Sequence, residues 1–226
     1  MAPFSSEIVR SQPLGSRLKA HAGFKVTALF FFGVAFFAGY FLLLKFPVFT
    51  VTVMPVTALD RLITFRPGAL LLYFSLWPYV SLVPGLIAEK GEIIAFYRTA
   101  GWLCLAGFAF FFFWPTVVAP LDIDWSGQRV FSQLKAVDGS GNACPSLHVA
   151  FAVFCALLLH RRLREIGDRG FARGVSWAWC AGIVYSTLAT KQHVAIDVLA
   201  GAVLGAVGAA VHLRGATKRN LRGFRS

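Results

Sequence analysis

Three long stretches of this chain contain no charged residue. They cover residues 26–44, 67–88 and 99–121, and each is close to the ~20 residues that a helix needs to cross a bilayer. Three further apolar stretches contain few His or Asp residues; they are residues 146–159, with His148, residues 174–190, and residues 194–213, with Asp197 and His212. The pattern predicts an all-α integral membrane protein in which six transmembrane helices form one bundle.

The composition favours a membrane protein over a soluble or disordered one. Of the 226 residues, 57% are hydrophobic and only 14% are Asp, Glu, Lys or Arg, against about 25% in typical soluble domains. Such a low charge density excludes a disordered chain, and this much apolar surface is hard to bury in a soluble fold. The net charge of +12 is also typical of proteins that bind nucleic acid. The distribution of the basic residues along the chain decides between nucleic acid and a membrane.

The basic residues predict the orientation of the bundle. With six helices, both termini and the second and fourth loops lie on one side, which holds 16 Lys and Arg residues against 6 on the other. Basic residues accumulate on the cytoplasmic side. We therefore predict one domain, residues 1–226, with a basic cytoplasmic N-terminus (1–25) and a basic cytoplasmic tail (214–226), in the inner membrane if the protein is bacterial. Nucleic acid is disfavoured because the charge follows a membrane face.

Three polar residues fall on the extracytoplasmic side of this predicted bundle. His148 and His193 begin the fourth and sixth helices, and Asp197 lies one turn inside the sixth. An unpaired carboxylate is costly inside a membrane, and on a helix Asp197 shares a face with His193, four residues earlier. A carboxylate that binds one imidazole nitrogen fixes the tautomer and increases the basicity of the other. His193 is therefore a candidate nucleophile or general base; the alternative is an Asp–His pair that only fixes the sixth helix.

The other histidines and the cysteines indicate no second site. His21, His160 and His212 lie at the cytoplasmic ends of predicted helices, where we expect solvated side chains. The four cysteines show neither a CxxC motif nor a Cys/His zinc spacing, so we predict no metal site and no cofactor. The small-residue pattern Gly201-x-x-x-Gly205 is typical of close helix packing.

Two short motifs resemble those of the type-2 phosphatidic acid phosphatase superfamily. Residues 145–148 read Pro-Ser-Leu-His, which is similar to the family's Pro-Ser-Gly-His motif. Ser186, His193 and Asp197 have the spacing of its Ser-Arg-x5-His-x3-Asp motif, with Thr187 at the arginine position. The Pro-Ser-Leu-His variant and the Thr-Lys-Gln-His sequence that ends at His193 resemble the branch that contains inositol-phosphorylceramide synthases.

The resemblance implies metal-independent phosphoryl transfer through a covalent phosphohistidine. His193 would attack phosphorus, Asp197 would orient it, and His148 would protonate the leaving oxygen and later activate a water or alcohol acceptor. Phosphoryl transfer also needs groups that stabilise the charge on the phosphate oxygens. The candidates on the same side are Lys191, Ser146, Ser186 and Arg129.

The family's cation positions are not basic in this chain. Thr187 replaces an arginine, and the Lys-x6-Arg-Pro motif expected after the third helix has no counterpart there. Arg66 and Pro67 copy its last two residues one loop earlier, with Leu59 at the lysine position. Lys191, two residues before His193, is the best-placed replacement.

These observations lead to one main hypothesis and two alternatives. We expect a membrane-embedded lipid phosphatase or lipid head-group phosphotransferase that acts at the outer leaflet on a lipid phosphate or phosphodiester. One alternative is a non-catalytic lipid-binding or transport protein that keeps the fold, and the other is a metal-dependent hydrolase that uses His148, His193 and Asp197. The lipid, the acceptor and the oligomeric state stay open.

Overall fold

The protein is mostly helical, with 75% of its residues in helices. A computed structural model describes residues 13–119 and 141–223. In chain order, the first half contains α1 (Leu14–Lys19), α2 (Ala22–Lys45), β1 (Thr52–Met54), α3 (Ala58–Leu62), a 3-10 turn (Pro67–Ala69), α4 (Leu70–Phe74), α5 (Leu76–Leu86) and α6 (Lys90–Phe113). The second half contains β2 (Thr116–Val118), α7 (Leu147–Glu165), α8 (Phe171–Ala189) and α9 (Ala195–Gly223).

Four helical segments are long and apolar enough to cross a membrane. Within residues 13–119 and 141–223 they are Ala22–Lys45, Pro67–Leu86, Lys90–Phe113 and Ala195–Ala216, which confirms a mostly helical protein with several candidate membrane-spanning helices. The helices α7 and α8 have 19 residues each but are not among the four. Arginines occupy the last turns of α7, and α8 is rich in Trp, Ser, Tyr and Gly, so their mean hydropathy is lower than in the other long helices.

The third predicted helix differs from the observed one in both bounds. The stretch 99–121 predicts a helix, whereas α6 begins at Lys90 and ends at Phe113. Its end has a local cause, because the residue before a proline disfavours helical backbone and Trp114 precedes Pro115. The chain then becomes extended as β2, which pairs in parallel with β1. The prediction of an all-α protein therefore missed a two-stranded sheet.

The helix α7 lies at the centre of the bundle. It packs against α9, α8, α5 and α6, and ten of its residues are buried. Phe154 and Cys155 are completely buried and belong to a core that also includes Tyr79 of α5, Ile93 of α6 and Ile183 of α8. Burial of large apolar side chains is the main stabilising contribution inside such a core. The helix α7 is thus held by packing on several sides.

A second, smaller cluster joins the loops at one end of the bundle. It contains Met54 of β1, Val118 of β2, Ala143 and Cys144 before α7, and Val194 before α9. We call this end, which carries both strands and the starts of α7 and α9, the sheet end. At the opposite end Arg162 of α7 forms an ion pair with Glu92 of α6 at 2.8 Å. The sheet end is where the sequence analysis expects the functional residues.

Candidate functional site

The start of α7 is held in place by the strand β2. The hydroxyl oxygen of Thr116 accepts a hydrogen bond from the Cys144 amide at 2.8 Å, and its carbonyl accepts one from the Ala143 amide at 3.3 Å. Ser146 then caps the helix, its Oγ accepting from the Val149 amide at 3.3 Å. A serine cap satisfies one of the free amides of a helix N-terminus. These contacts fix the position of His148, in the first turn of α7.

The start of α9 carries the predicted Asp–His pair. Oδ2 of Asp197 lies 3.2 Å from Nδ1 of His193 and also accepts a hydrogen bond from the Val194 amide at 3.0 Å. Asp197 is fully buried, and its Oδ1 has no partner within the described part of the chain. Its carbonyl oxygen accepts a hydrogen bond from the Ser146 amide at 3.1 Å. Asp197 thus links the start of α7, which carries His148, to the start of α9.

This geometry determines which nitrogen of His193 carries the proton. An ionised carboxylate can only accept hydrogen bonds, so Nδ1 of His193 is the donor to Asp197. The other nitrogen, Nε2, then carries a lone pair. The ring itself lines a cavity, so a lone pair on Nε2 is available to a ligand bound there.

His148 presents a similar arrangement. Its ring stacks on Tyr73 of α4, with the centroids 4.0 Å apart and the planes inclined by 16°. The backbone of Tyr73 also hydrogen-bonds the imidazole, and Nε2 is buried without a partner among residues 13–119 and 141–223. The bond is therefore made by Nδ1, and it leaves Nε2 for a ligand. Sequence reasoning missed Tyr73, because nothing in the sequence indicates which residue stacks on His148.

Both histidines line the same cavity, of about 380 Å³. Most of its wall is aromatic and is contributed by α2, α4, α5, α6 and α7. We call it the aromatic cavity. Among the described residues, polar side chains that line it near the two histidines include those of Asn142 and Tyr40; the Asn142 amide nitrogen donates to the Tyr40 carbonyl at 3.0 Å. A volume of this size falls in the range of sites for small ligands, about 300–1,000 Å³.

The residues proposed to bind phosphate lie in different settings. Ser146 is buried and caps α7, while Ser186 is buried in α8 and donates to the Ile183 carbonyl at 2.6 Å. Lys191 extends towards residues 57–63, where its Nζ donates to the carbonyls of Asp60, at 2.6 Å, and Ile63. Burial lowers the pKa of Lys191, although Asp60 acts in the opposite direction. Arg129 lies outside the described residues.

Asp60 is a site residue that the sequence analysis missed. Its Oδ1 accepts a hydrogen bond from the Ala195 amide at 2.8 Å, at the first residue of α9. Its Oδ2 accepts from the Thr57 amide and hydroxyl, which completes a capping box for α3. The signal was the spacing Thr57-x-x-Asp60, which is typical of a helix start. That spacing contains no information about the second contact, with α9.

Comparison with family models adds a decisive observation to this geometry. A model described as the PAP2 superfamily matches residues 69–211, a range that includes His148, His193 and Asp197. The chain belongs to the PAP2 superfamily. Membership supports a phosphatase or phosphotransferase type of function and a lipid phosphate substrate. No match was found among the curated proteins or among the solved structures.

The arginine position of the PAP2 motif has a structural role here. Thr187 is completely buried, and its hydroxyl donates to the Val184 carbonyl at 2.8 Å. Its own carbonyl accepts from the amides of Gln192 and His193, both at 3.2 Å, so it terminates α8 and orients the next turn. The described part of the chain contains no group of three or more His, Cys, Asp or Glu residues that could hold a metal ion.

Proposed function

We propose that this PAP2 superfamily member is a lipid phosphatase or lipid head-group phosphotransferase that works through a phosphohistidine at His193. The observation that carries the proposal is the pair of imidazoles, His193 and His148, that line one cavity while their Nδ1 atoms are held by Asp197 and by the Tyr73 backbone. Two fixed bases on either side of a ligand suit a displacement that occurs in two steps.

In the first step Nε2 of His193 attacks phosphorus. A P–N bond forms, the P–O bond to the lipid breaks, and the leaving oxygen takes a proton from Nε2 of His148. The buried Asp197 carboxylate stabilises the positive charge that develops on the His193 ring, as the carboxylates of other catalytic triads do. This step requires His148 in its protonated form, which the negative charge of a bound phosphate favours.

In the second step the acceptor replaces histidine. Its oxygen attacks phosphorus, the P–N bond breaks, and Nε2 of His148 takes the acceptor's proton, which returns both histidines to their starting states. Water as the acceptor gives hydrolysis, and an alcohol gives head-group transfer. The resemblance of residues 145–148 to the inositol-phosphorylceramide synthase branch favours an alcohol.

In this proposal the negative charge of the phosphate is bound by the N-terminus of α7 and by the exposed Arg66. The free amides at the N-terminus of α7, next to His148, are suited to an anion. Arg66 is exposed at the sheet end, and its amide donates to the Ala189 carbonyl at 2.9 Å, at the last residue of α8. The Arg66 backbone is thus bound four residues before His193 in the sequence, and we assign its guanidinium to the phosphate. In this assignment Lys191 and Ser186 support the fold around the phosphate.

The orientation is part of the same proposal. With α7 and α8 counted as spans, the bundle has six, both termini lie in the cytoplasm, and the sheet end faces the outside. The excess of basic residues near the termini, in the second loop and in the fourth loop supports this orientation. The reaction then takes place at the outer leaflet, which is the periplasmic side if the protein is bacterial.

The central test is whether phosphate becomes attached to His193. The purified protein is mixed with a labelled lipid phosphate, quenched at high pH and examined for an acid-labile phosphohistidine by peptide mass spectrometry. The His193→Ala variant should insert into the membrane, form no adduct and have no turnover. His148→Ala should slow both the formation and the breakdown of the adduct. The matched control is His160→Ala, near the opposite end of α7 from His148. Full turnover by His193→Ala on every lipid that the wild type cleaves would refute the mechanism.

A second function has specific support and is separated by the same experiment. Thr187 stands at the family's arginine position, and Lys191 is bound to two carbonyls. A protein that lacks these phosphate contacts could bind or transport a lipid without cleaving it. That protein would bind the lipid phosphate in both wild-type and His193→Ala forms and would form no adduct in either.

A further inference from the structure

The aromatic cavity is long and runs parallel to the helices. Its lining on α6 extends from Phe111, near the histidines, to Tyr97, and its lining on α2 extends from Phe41 to Leu29. At 1.5 Å per residue these intervals correspond to ~21 Å and ~18 Å. This is longer than one leaflet's share of the ~30 Å hydrocarbon core of a bilayer.

The two ends of the aromatic cavity differ in chemistry. One end presents His148 and His193, and the intervening wall is formed by apolar and aromatic side chains such as Phe36, Trp77 and Phe151. The other end is lined by Tyr97, whose ring lies 5.6 Å from that of Phe32 and 5.2 Å from that of Phe96. A ligand that matches this shape has a charged head and one long apolar tail.

We propose that the aromatic cavity holds a single hydrocarbon chain of the substrate, and that Tyr97 and Phe32 set the longest chain it accepts. This proposal rests on the proposed function, because the phosphate end of the lipid lies at His148 and His193. The volume of about 380 Å³ is near the lower limit for ligand sites, which favours one chain over two. The substrate class is therefore a lipid phosphate of which only one chain enters the protein.

The helix α2 forms part of the cavity wall from outside the residues that match the family. The helix α2 contributes Gly33, Phe36 and Tyr40 to the wall, but it lies outside residues 69–211, which match the PAP2 superfamily. Gly33 faces open space, since a Cβ built on it meets no atom within 4 Å. A larger side chain at this position can therefore fill the aromatic cavity without displacing a neighbour.

The first experiment measures turnover of n-alkyl phosphates of increasing length, with phenyl phosphate as a substrate that has no chain. For the wild type, kcat/KM should rise with chain length and stop rising when the chain reaches Tyr97. Gly33→Phe should reduce the ratio of long-chain to phenyl phosphate activity at least tenfold. Gly101→Phe is the matched control, because Gly101 of α6 also faces open space but does not line the cavity, and its ratio should match the wild type.

A second variant tests the closed end. Tyr97→Ala should move the optimum to longer chains, whereas Tyr97→Phe, which keeps the ring, should not. An unchanged chain-length profile in both Gly33→Phe and Tyr97→Ala would overturn the proposal.

The second experiment measures binding in the His193→Ala protein, which has no turnover. An alkyl phosphate with a photoreactive group at its chain end should label Phe32, Phe96 or Tyr97. Labelling confined to Phe30, Phe31 and Val34, which are on the exposed face of α2, would overturn the proposal. If no phosphate ester reacts and no phosphohistidine forms, the proposed function fails, and the labelling pattern still decides whether the cavity binds a chain.

Discussion

A hydrogen bond of 3.2 Å joins Nδ1 of His193, two residues before α9, to Oδ2 of Asp197 in the first turn of that helix. The carboxylate is fully buried, and apart from the imidazole its Oδ2 accepts only the Val194 amide in the described part of the chain. The bond holds the His193 ring in one tautomer and one orientation. It also anchors the first turn of α9, so the catalytic and structural interpretations of the pair are compatible.

Replacing the carboxylate should separate these two roles. Asp197→Asn can still accept the Val194 amide, but it provides no negative charge for the His193 ring. We expect turnover to fall by about 10²–10⁴-fold with a melting temperature close to that of the wild type. Turnover and thermal unfolding of the purified variant measure the two effects. Wild-type turnover would mean that Asp197 only fixes the helix.

Two glycines allow α9 to approach α7 closely enough to form the site. A Cβ on Gly201 would overlap the Ser146 carbonyl oxygen, and one on Gly205 would overlap the Ala150 carbonyl oxygen. Because both obstacles are backbone atoms, they cannot rotate away. Gly201→Ala should separate His148 from His193 and cost about 1–3 kcal/mol of stability, with a larger loss of turnover than Gly205→Ala, which lies one turn further from the histidines.

Glycines with free space provide the control for this prediction. Gly101→Ala meets no atom within 4 Å and should keep both stability and turnover. Thermal unfolding and initial rates are compared for the three variants. If Gly201→Ala behaved like Gly101→Ala, close packing of α9 on α7 would not be needed for activity.

Local sequence spacing was sufficient to predict the pair that forms the centre of the site. His193 and Asp197 are four residues apart, and the short separation brings them together at the start of α9, although His193 lies two residues before the helix and not on it. The presence of the long apolar helices was predictable for a similar reason, because each depends on a continuous segment, although both bounds of α6 differ from the prediction. The PAP2 superfamily assignment was confirmed, since its motifs are also local.

Contacts between distant segments were not predictable from spacing. The pairing of β1 with β2, the contact of Asp60 with Ala195 and the stacking of Tyr73 on His148 each join residues that are far apart in sequence. The partners of Lys191 belong to this class, because two backbone carbonyls carry no sequence signature. As a result, the sequence indicated which polar residues lie at the sheet end, but not which of them form hydrogen bonds within the protein.

Leu147 occupies the glycine position of the family motif. Its side chain fits because the residue that faces it on α6, Gly107, has no side chain. A Cβ on Gly107 of α6 would overlap the side chain of Leu147, which is buried against Phe111 and Ala150. Gly107→Ala should therefore destabilise the protein by about 1–3 kcal/mol. Leu147→Gly should leave a cavity and cost a similar amount or more.

The double variant tests whether the two positions are coupled. In the combined Gly107→Ala and Leu147→Gly protein the new methyl group has room, so the two costs should not add, and the coupling should be about 0.5–3 kcal/mol. Chemical or thermal unfolding of the four proteins gives this value. Additive costs would show that Leu147 and Gly107 do not compensate each other.

The loop before α8 contains a carboxylate whose effect depends on pH. Desolvation tends to raise the pKa of Asp168, but hydrogen bonds from the amides of Ala172, Arg173 and Gly170 and from the Arg173 side chain lower it overall, below its ordinary 3.8. A lowered pKa means that the folded state prefers the ionised form. The resulting stabilisation is complete above about pH 4 and is lost as the pH falls through the folded-state value.

Asp168→Asn should therefore reduce the melting temperature at neutral pH, and the difference from the wild type should shrink below about pH 4. Glu89→Gln, at an exposed residue just before α6 whose side chain makes no cap hydrogen bond, is a comparison for general loss of negative charge at the same end. Melting temperatures across this pH range provide the measurement. A difference that stays constant down to the lowest pH would mean that the Asp168 charge does not stabilise the loop.

Substitution of Lys191 tests whether its charge stabilises the fold or binds the phosphate. Its Nζ donates to the Asp60 and Ile63 carbonyls, and Asp60 in turn accepts the Ala195 amide at the start of α9. Lys191→Met keeps the aliphatic part but leaves both carbonyls without their donor, which costs about 1–3 kcal/mol. Because these contacts position the turn that bears His193, the melting temperature and kcat should fall together while KM changes little.

The control is Lys45→Met, which removes an exposed lysine at the end of α2 and should affect neither quantity. The expected result for Lys191→Met contrasts with that for Arg66→Met. The exposed Arg66 is assigned to the phosphate, so its loss should raise KM or lower kcat/KM with the melting temperature unchanged. If Lys191→Met instead raised KM at an unchanged melting temperature, Lys191 would be a phosphate ligand, and its contacts with Asp60 and Ile63 would have to open when the substrate binds.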